Sequence, residues 1–278
     1  MNSELSLALP SIRRPVRGLL ESKRMPGQFE LPLNIGHRGH ANRLENTINS
    51  FHESIDMGAQ MMELDVRLSS DGVPVVFHDA TLKRMAKLSG AVRKRTARFL
   101  TGIDLGGGSA IPTLDETLGQ LLPRIPVNIE MKFDDLNYRP LVGAVLNSVR
   151  KAKAERRVLV SSFYHQALDI LNRSAPEVTT APLFGDETGN PHSDDLKRLS
   201  KLSPWNNDLP FSRPAAVVKH KMIDSQLCQQ FHDSKLSLLT FTVDDSDEMI
   251  RLIDLGVEGI MTNRPDILQD ILNSKKRA

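Results

Sequence analysis

With 278 residues, 40% apolar and 25% charged content and a formal charge of +2, the chain can bury one large core and lacks the charge excess of a nucleic-acid-wrapping protein. Cys228 is the one cysteine, which excludes an intramolecular disulfide and a thiolate metal cluster and suits a reducing, cytoplasmic setting. No stretch reaches the roughly 18 to 20 apolar residues that a membrane-spanning helix needs.

Residues 1–30 read as an N-terminal extension. Glu4 and Pro10 interrupt the early apolar residues before an h-region can form, so no signal peptide is expected. Weak contact of this arm with a membrane surface is the alternative to a plain extension. From residue 31 the chain alternates short β-type runs with helix-period segments. Strands are expected at 31–36, 61–67, 73–77, 127–131, 157–162, 178–184, 215–220, 236–243 and 258–262. Helices are expected at 46–57, 113–122, 139–153, 164–173, 193–201, 224–234, 245–255 and 265–274. This alternation predicts parallel strands covered by helices. Nine strand candidates give an eight-stranded barrel if VPVVF (73–77) shares a unit with MMELDVR (61–67), from which only an SSDG turn separates it. A doubly wound open sheet would instead show a glycine-rich phosphate loop after its first strand, where this chain has GHRG. The expected architecture is therefore an α/β fold, a (β/α)8 TIM barrel over residues 31–275. Residues 80–112, with several bases and a GGGS run, form a small insertion.

In such a barrel the site is built at the C-terminal ends of the strands. The first strand leads into His37-Arg38, the second carries Glu63 and Asp65, VPVVF leads into His78-Asp79, and VNIEM carries Glu130 with Lys132 just beyond. Residues two apart on a strand share a side, so three carboxylates and a lysine converge in one mouth. Carboxylates so placed repel one another unless a cation sits among them, and an all-oxygen donor set suits Mg²⁺ or Ca²⁺. The plainer alternative is an acidic strand end paired with Arg67 and Lys132. His37 and His78 are placed as a base and an acid on either side of the cation. Arg38 and Lys132 supply fixed positive charge, which fits a phosphate group.

The segments HRG (37–39), ENT (45–47), ELDVRLSSDGVPVVFHD (63–79), IPTLDETL (111–118), IEMK (129–132), SSF (161–163) and GVEGIMTNRPD (256–266) together resemble the glycerophosphodiester phosphodiesterase family, from about residue 33 to 270. The resemblance implies a (β/α)8 barrel that hydrolyses glycerophosphodiesters to an alcohol and glycerol 3-phosphate with one divalent cation. It makes Glu63, Asp65 and Glu130 the metal ligands, His37 and His78 the catalytic pair, and Arg38 and Lys132 the phosphate contacts. Phe163 and Phe241 would line the substrate, and Glu45 would orient His37 or Arg38 from behind. The family usually has Pro where this chain has Leu44, and Trp-Thr where it has Phe241-Thr242. Other readings are a lysophospholipase D, a cyclising phosphodiesterase acting on lysolipids, and a non-catalytic binding barrel. The basic run VRKRTAR (92–98) would overhang the site, either as a solvated loop or as an attractor of anionic substrates or membrane. Trp205 is expected to pack beside a loop. The remaining histidines, His40, His52, His165, His192, His220 and His232, read as structural or exposed, with Lys219-His220 the exception to watch because it ends a strand.

Overall fold

The computed structural model describes residues 31–186, 188–201, 208–209 and 213–277, so the expectations for residues 1–30 and Trp205 lie outside the described residues. The strands are β1 (Leu33–His37), β2 (Met61–Leu68), β3 (Pro74–Val76), β4 (Asp104–Gly106), β5 (Ser109–Ala110), β6 (Val127–Met131), β7 (Val158–Ser162), β8 (Thr179–Phe184), β9 (Ala215–Lys219), β10 (Ser237–Phe241) and β11 (Gly259–Thr262). The α-helices are α1 (Ile48–Asp56), α2 (Lys83–Ala86), α3 (Ala97–Thr101), α4 (Leu114–Leu121), α5 (Arg139–Lys151), α6 (His165–Ser174), α7 (Ser193–Leu199), α8 (Ser225–Asp233), α9 (Ser246–Asp254) and α10 (Pro265–Lys275).

Strand order is β1-β11-β10-β9-β8-β7-β6-β2, and β1 pairs with β2 to close the ring. All eight of these strands are parallel, so the chain forms the expected (β/α)8 barrel. β3 is the ninth member and runs antiparallel to β2, with Val66 opposite Val76. The SSDG turn is too short for the crossover that a parallel neighbour would need. His78 therefore reaches the mouth from a returning hairpin strand rather than from the C-terminal end of a barrel strand, which corrects the sequence-based picture of its approach.

Strand periodicity decides what points into the barrel. Leu33, Ile35, Met61, Leu159, Ala181, Leu183, Ala215, Val217, Leu239 and Met261 form one buried cluster inside the ring. Their alternate neighbours Met62, Leu64, Val66, Val127, Ile129, Val158 and Val160 pack outward against α1, α4, α5 and α6. Ala216, Val218, Leu238 and Ile260 do the same against the later helices. On the inward parity His37 follows Ile35, Glu63 and Asp65 follow Met61, and Phe241 follows Leu239. Between the two strands His37 stands opposite Glu63, and between β2 and β6 Asp65 stands opposite Glu130. The layer that fills the barrel floor with apolar side chains is thus succeeded, one step up each strand, by the charged layer.

The segment expected as an insertion is a folded unit. Leu82, Val92, Ala97, Leu100, Ile103 and Ile111 bury against Val75 and Phe77, giving the segment an apolar cluster of its own over the β2–β3 hairpin. β4 and β5 form a small two-stranded ribbon within it.

Candidate active site

Glu63, Asp65 and Glu130 are all buried, and each offers an oxygen within 4.8 Å of the other two. Their surroundings divide the charge unevenly. Asp65 meets Arg38 Nε at 2.9 Å and Lys132 Nζ at 3.2 Å, and its Oδ2 accepts from Asn46 Nδ2 at 2.9 Å. Burial opposes its ionisation, but Lys132 and then Arg38 outweigh it and hold the carboxyl below its usual range. Glu63 accepts from the Arg38 backbone N–H at 3.1 Å, while its Oε1 is buried without a hydrogen-bond partner. Burial, followed by Asp65 and Glu130, pushes its proton affinity well up. Glu130 is likewise raised by burial although Lys132 forms an ion pair with it. A buried carboxylate oxygen with no partner beside two further carboxylates is the arrangement that a hard cation relieves. The donor set is all oxygen, as expected, and this cluster can hold a metal ion. Arg67 takes no part in it: the guanidinium pairs with Asp134 at 2.7 Å and donates to the His78 carbonyl at 2.6 Å. Of the plainer alternative, an acidic strand end paired with Arg67 and Lys132, the structure therefore shows the Lys132 pairing and not that of Arg67.

The turn after β1 places several of these groups. Arg38 has φ 56° and Asn46 has φ 58°, and the Asn46 N–H donates to the Arg38 carbonyl at 2.8 Å. Left-handed backbone costs a residue such as Arg38 about 1–2 kcal/mol and an asparagine less, so its adoption by Arg38 marks a constrained loop. Between them Gly39, at φ 102°, lies so near α1 that a β-carbon would fall 2.0 Å from Ser50 Oγ. Thr47 caps α1, its side chain accepting from the Ser50 N–H. Asn46 is thereby free to clamp Asp65, giving Nδ2 to the carboxylate and taking the Asp65 N–H at 3.2 Å.

His37 and His78 differ in their partners. Asn263 Nδ2 donates to Asp244 Oδ2 at 2.7 Å, which turns Asn263 Oδ1 towards His37 Nδ1, 2.9 Å away. An amide oxygen only accepts, so Nδ1 carries the proton and Nε2 presents its lone pair into the mouth. Thr242 Oγ1 lies 3.4 Å from that Nε2, and Glu63 Oε2 lies 4.0 Å from it. Burial, reinforced by Arg38, lowers the His37 pKa to about 4, so the ring is neutral at pH 7. His78 Nδ1 lies 2.8 Å from Asp79 Oδ1, which must accept. Its pKa is lowered as well, by burial and then by Arg38 and Lys132, with Asp65 and, less strongly, Asp79 pulling the other way.

Phe163 and Phe241 meet edge to face at 5.8 Å between centroids, above the apolar floor, and Lys132 Nζ sits 5.8 Å from the Phe163 ring. Glu45 lies 3.5 Å from Arg38 Nη1 and makes no contact with His37, so of the two partners expected for it the geometry brings Arg38. Arg84, on α2 of the insertion, was not anticipated. Its Nη1 donates to Glu45 Oε2 at 3.0 Å, and its Nε and Nη2 donate to the two oxygens of Asp79 at 2.7 and 2.9 Å. This holds the Asp79 carboxyl down to about 2. Glu45, His78 and Asp79 also approach one another closely enough to ligate a metal, but the Arg84 guanidinium already neutralises that group. One guanidinium so fixes the acid behind His78 and the acid behind Arg38. Its only sequence signal is its position five residues after Asp79. Asn263 and Asp244, from the far end of the chain, carry no signal beyond the TNRPD segment. The watched histidine, His220, is paired with Glu248 at 2.7 Å and lies outside this cluster.

Arg84→Ala should lower kcat about 10- to 100-fold, the usual cost of losing a group that orients a catalytic side chain. KM should change less, and the limb of the pH profile belonging to His78 should move. A purely structural arginine would shift the melting temperature and leave that limb in place; Arg84→Lys, which keeps charge but loses the two-pronged contact, should recover little.

The glycerophosphoryl diester phosphodiesterase family model matches residues 37–267. The chain belongs to the glycerophosphoryl diester phosphodiesterase family. The glycerophosphodiester phosphodiesterase of Caldanaerobacter subterraneus subsp. tengcongensis is 29% identical, over 86% of this chain and 96% of that protein. The glycerophosphodiester phosphodiesterase of Bacillus altitudinis is 31% identical, over 84% of this chain and 94% of that protein. Among solved structures, a glycerophosphodiester phosphodiesterase from Parabacteroides distasonis superposes with a TM-score of 0.73 at 26% identity, covering 87% of this chain and 97% of that one. As a member of the family the protein is a phosphoric diester hydrolase, and its barrel is the family's fold. Among the described residues no helix is long and apolar enough to cross a membrane.

Proposed function

We propose that the protein hydrolyses glycerophosphodiesters to glycerol 3-phosphate and an alcohol, with His37 as general base, His78 as general acid and one divalent cation, Mg²⁺ or Ca²⁺, held by Glu63, Asp65 and Glu130. The observation that carries the reading is the meeting of two differently partnered histidines with an under-neutralised carboxylate triad in one mouth. When bound, the cation supplies charge stabilisation to phosphate oxygens. Arg38 and Lys132 supply the remaining positive charge to the non-bridging oxygens, which gain charge in the transition state.

The proton path follows from the ring partners. His37 Nε2, the unprotonated nitrogen, accepts the proton of the nucleophile, water or the substrate's own 2-hydroxyl, as that oxygen bonds to phosphorus. His78 acts in its doubly protonated form, the minority form at neutral pH because its pKa is lowered. Asp79 accepts from Nδ1 and favours that form, whose Nε2 proton passes to the departing alkoxide as the P–O bond breaks, leaving the ring neutral. Phe163 and Phe241 offer the apolar wall on which the carbon skeleton of the glycerol or alcohol rests. Glu45 holds Arg38 in place together with Arg84. Residues 31–275 serve as one catalytic domain, with 80–112 inserted in it, and the single cysteine suits a cytoplasmic location.

A coupled assay for glycerol 3-phosphate across glycerophosphodiesters differing in the alcohol, with Mg²⁺, Ca²⁺ or chelator, tests the reading. Release in the presence of a divalent cation and its loss with chelator are expected. Undiminished turnover after exhaustive chelation would remove the cation from the proposal, and no release from any member of the panel would remove the activity.

A further inference from the structure

Across the insertion, residues 80–112, the chain carries Lys83, Arg84, Lys87, Arg93, Lys94, Arg95 and Arg98 and one acid, Asp104. Arg84 is spent on Glu45 and Asp79. The other six are exposed, and among the described residues none of them forms an ion pair. Elsewhere Arg124, Lys151, Arg156 and Lys275 on the surface each have a carboxylate partner within 4.0 Å, while Arg139, Lys153, Arg173 and Lys235 form no ion pair among the described residues but are scattered. The insertion is set apart by gathering its six unpaired bases between residues 83 and 98. Leu88 and Phe99, two of the few large apolar side chains left open, are 41% and 44% exposed in this same insertion. They border a recess of about 660 Å³ that Ala86, Ile103, Arg98 and, at one edge, the lone acid Asp104 also line, and Arg95 lies 5.0 Å from the Phe99 ring. Basic side chains free of acidic partners, surrounding apolar side chains that water covers, are the chemistry of a surface that meets anionic head groups and dips into the layer beneath them. Nucleic acid would use the charge but would leave Leu88 and the recess without a role.

The place of the insertion gives this surface a purpose. Its α2 is tied through Arg84 to the groups around His78 and Arg38, so the insertion is anchored at the rim of the mouth. We propose that it is a docking surface for an anionic lipid bilayer, which brings the barrel mouth to substrate at the membrane. The bilayer contact stands by itself; its consequence for turnover rests on the function proposed above.

Co-sedimentation of the full chain with phosphatidylcholine vesicles, with and without phosphatidylglycerol, tests it. Binding should appear with the anionic mixture, weaken as salt is raised, and fall on the order of 10-fold or more in an Arg93→Gln, Lys94→Gln, Arg98→Gln variant. Leu88→Ser with Phe99→Ser should weaken it independently of salt. The charge variant should keep the wild-type melting temperature because its replaced side chains are exposed, and the apolar variant should still melt cooperatively above the assay temperature. Hydrolysis of a soluble glycerophosphodiester should be unchanged in both, while hydrolysis of a lysophospholipid held in the anionic vesicles should fall with binding. Equal binding to both kinds of vesicle, binding unaffected by the charge substitutions, or tighter binding to an RNA oligonucleotide than to the vesicles would overturn the docking surface. Wild-type protein that sediments as described but releases no glycerol 3-phosphate would support the surface and overturn the function instead.

Discussion

Glu63→Gln should reduce glycerol 3-phosphate release on the order of 10³-fold and at the same time make the cation-free protein more stable. The first effect follows from removing a ligand, since a bound cation contributes several kcal/mol of charge stabilisation to a reacting phosphate. The second follows from the folded protein itself. Burial, with Asp65 and Glu130 close by, raises the proton affinity of Glu63, so keeping that group ionised costs folding free energy. Because its pKa is higher folded than unfolded, the folded state binds more protons as pH rises above the ordinary carboxylate range, and cation-free stability falls with rising pH there. The amide of the variant carries no charge and flattens that slope. Divalent cation should restore wild-type stability, by about 2.7 kcal/mol at a hundredfold excess over Kd, and should do little for the variant. Thermal melts with chelator and with Mg²⁺ or Ca²⁺ across pH read all of this apart from activity. A wild-type protein whose melting temperature ignores the cation would contradict the assignment of the triad.

His37→Ala and His78→Ala should each lower kcat by about 10²- to 10⁴-fold, the range that general acid-base groups contribute, and the double variant should lose little beyond the worse single one. Both should keep the cation-dependent melt. The wild-type pH profile carries a further check. With its pKa near 4, His37 remains a neutral base well below the ordinary histidine range, so the acid limb assigned to it should lie below about 6.5. The same lowering makes stability depend on pH: between the folded pKa of about 4 and the ordinary value the unfolded chain binds more protons. There is no penalty above that window, and stability falls as pH drops through it because the buried ring resists protonation. His37→Ala should remove this dependence. Turnover by the double variant at the wild-type rate would exclude both histidines from the chemistry.

The converging carboxylates and His37 were legible because strand parity is a local property, and His78 only because it follows a strand directly. Glu63 and Asp65 sit at a spacing that places them on one side of β2, and Glu130 and Lys132, the latter just past the end of β6, share a side likewise, whatever the rest of the chain does. The antiparallel path of β3 was partly legible from the SSDG turn, yet a list of strands gives His78 no direction of approach. Asn46 illustrates a different limit. Its sequence context suits helix capping, and Thr47 is equally suited; only the left-handed turn, with Gly39 pressed against α1, decides that Thr47 caps and Asn46 holds Asp65. The basic run in the insertion was visible as charge, but its lack of acidic partners was not.

By itself the sequence determined the alternation of strands and helices, the inward set of charged residues and the family, because these rest on periodicity and on motifs carried by contiguous residues. The tertiary structure alone decided the pairings between distant segments. It closed β1 against β2, set Asn263 and Asp244 behind His37, and brought Arg84 from the insertion onto Glu45 and Asp79. Such contacts depend on where ring closure brings the loops, and a hydrogen bond across a gap of 39 or 226 residues leaves no period in the chain by which to read it.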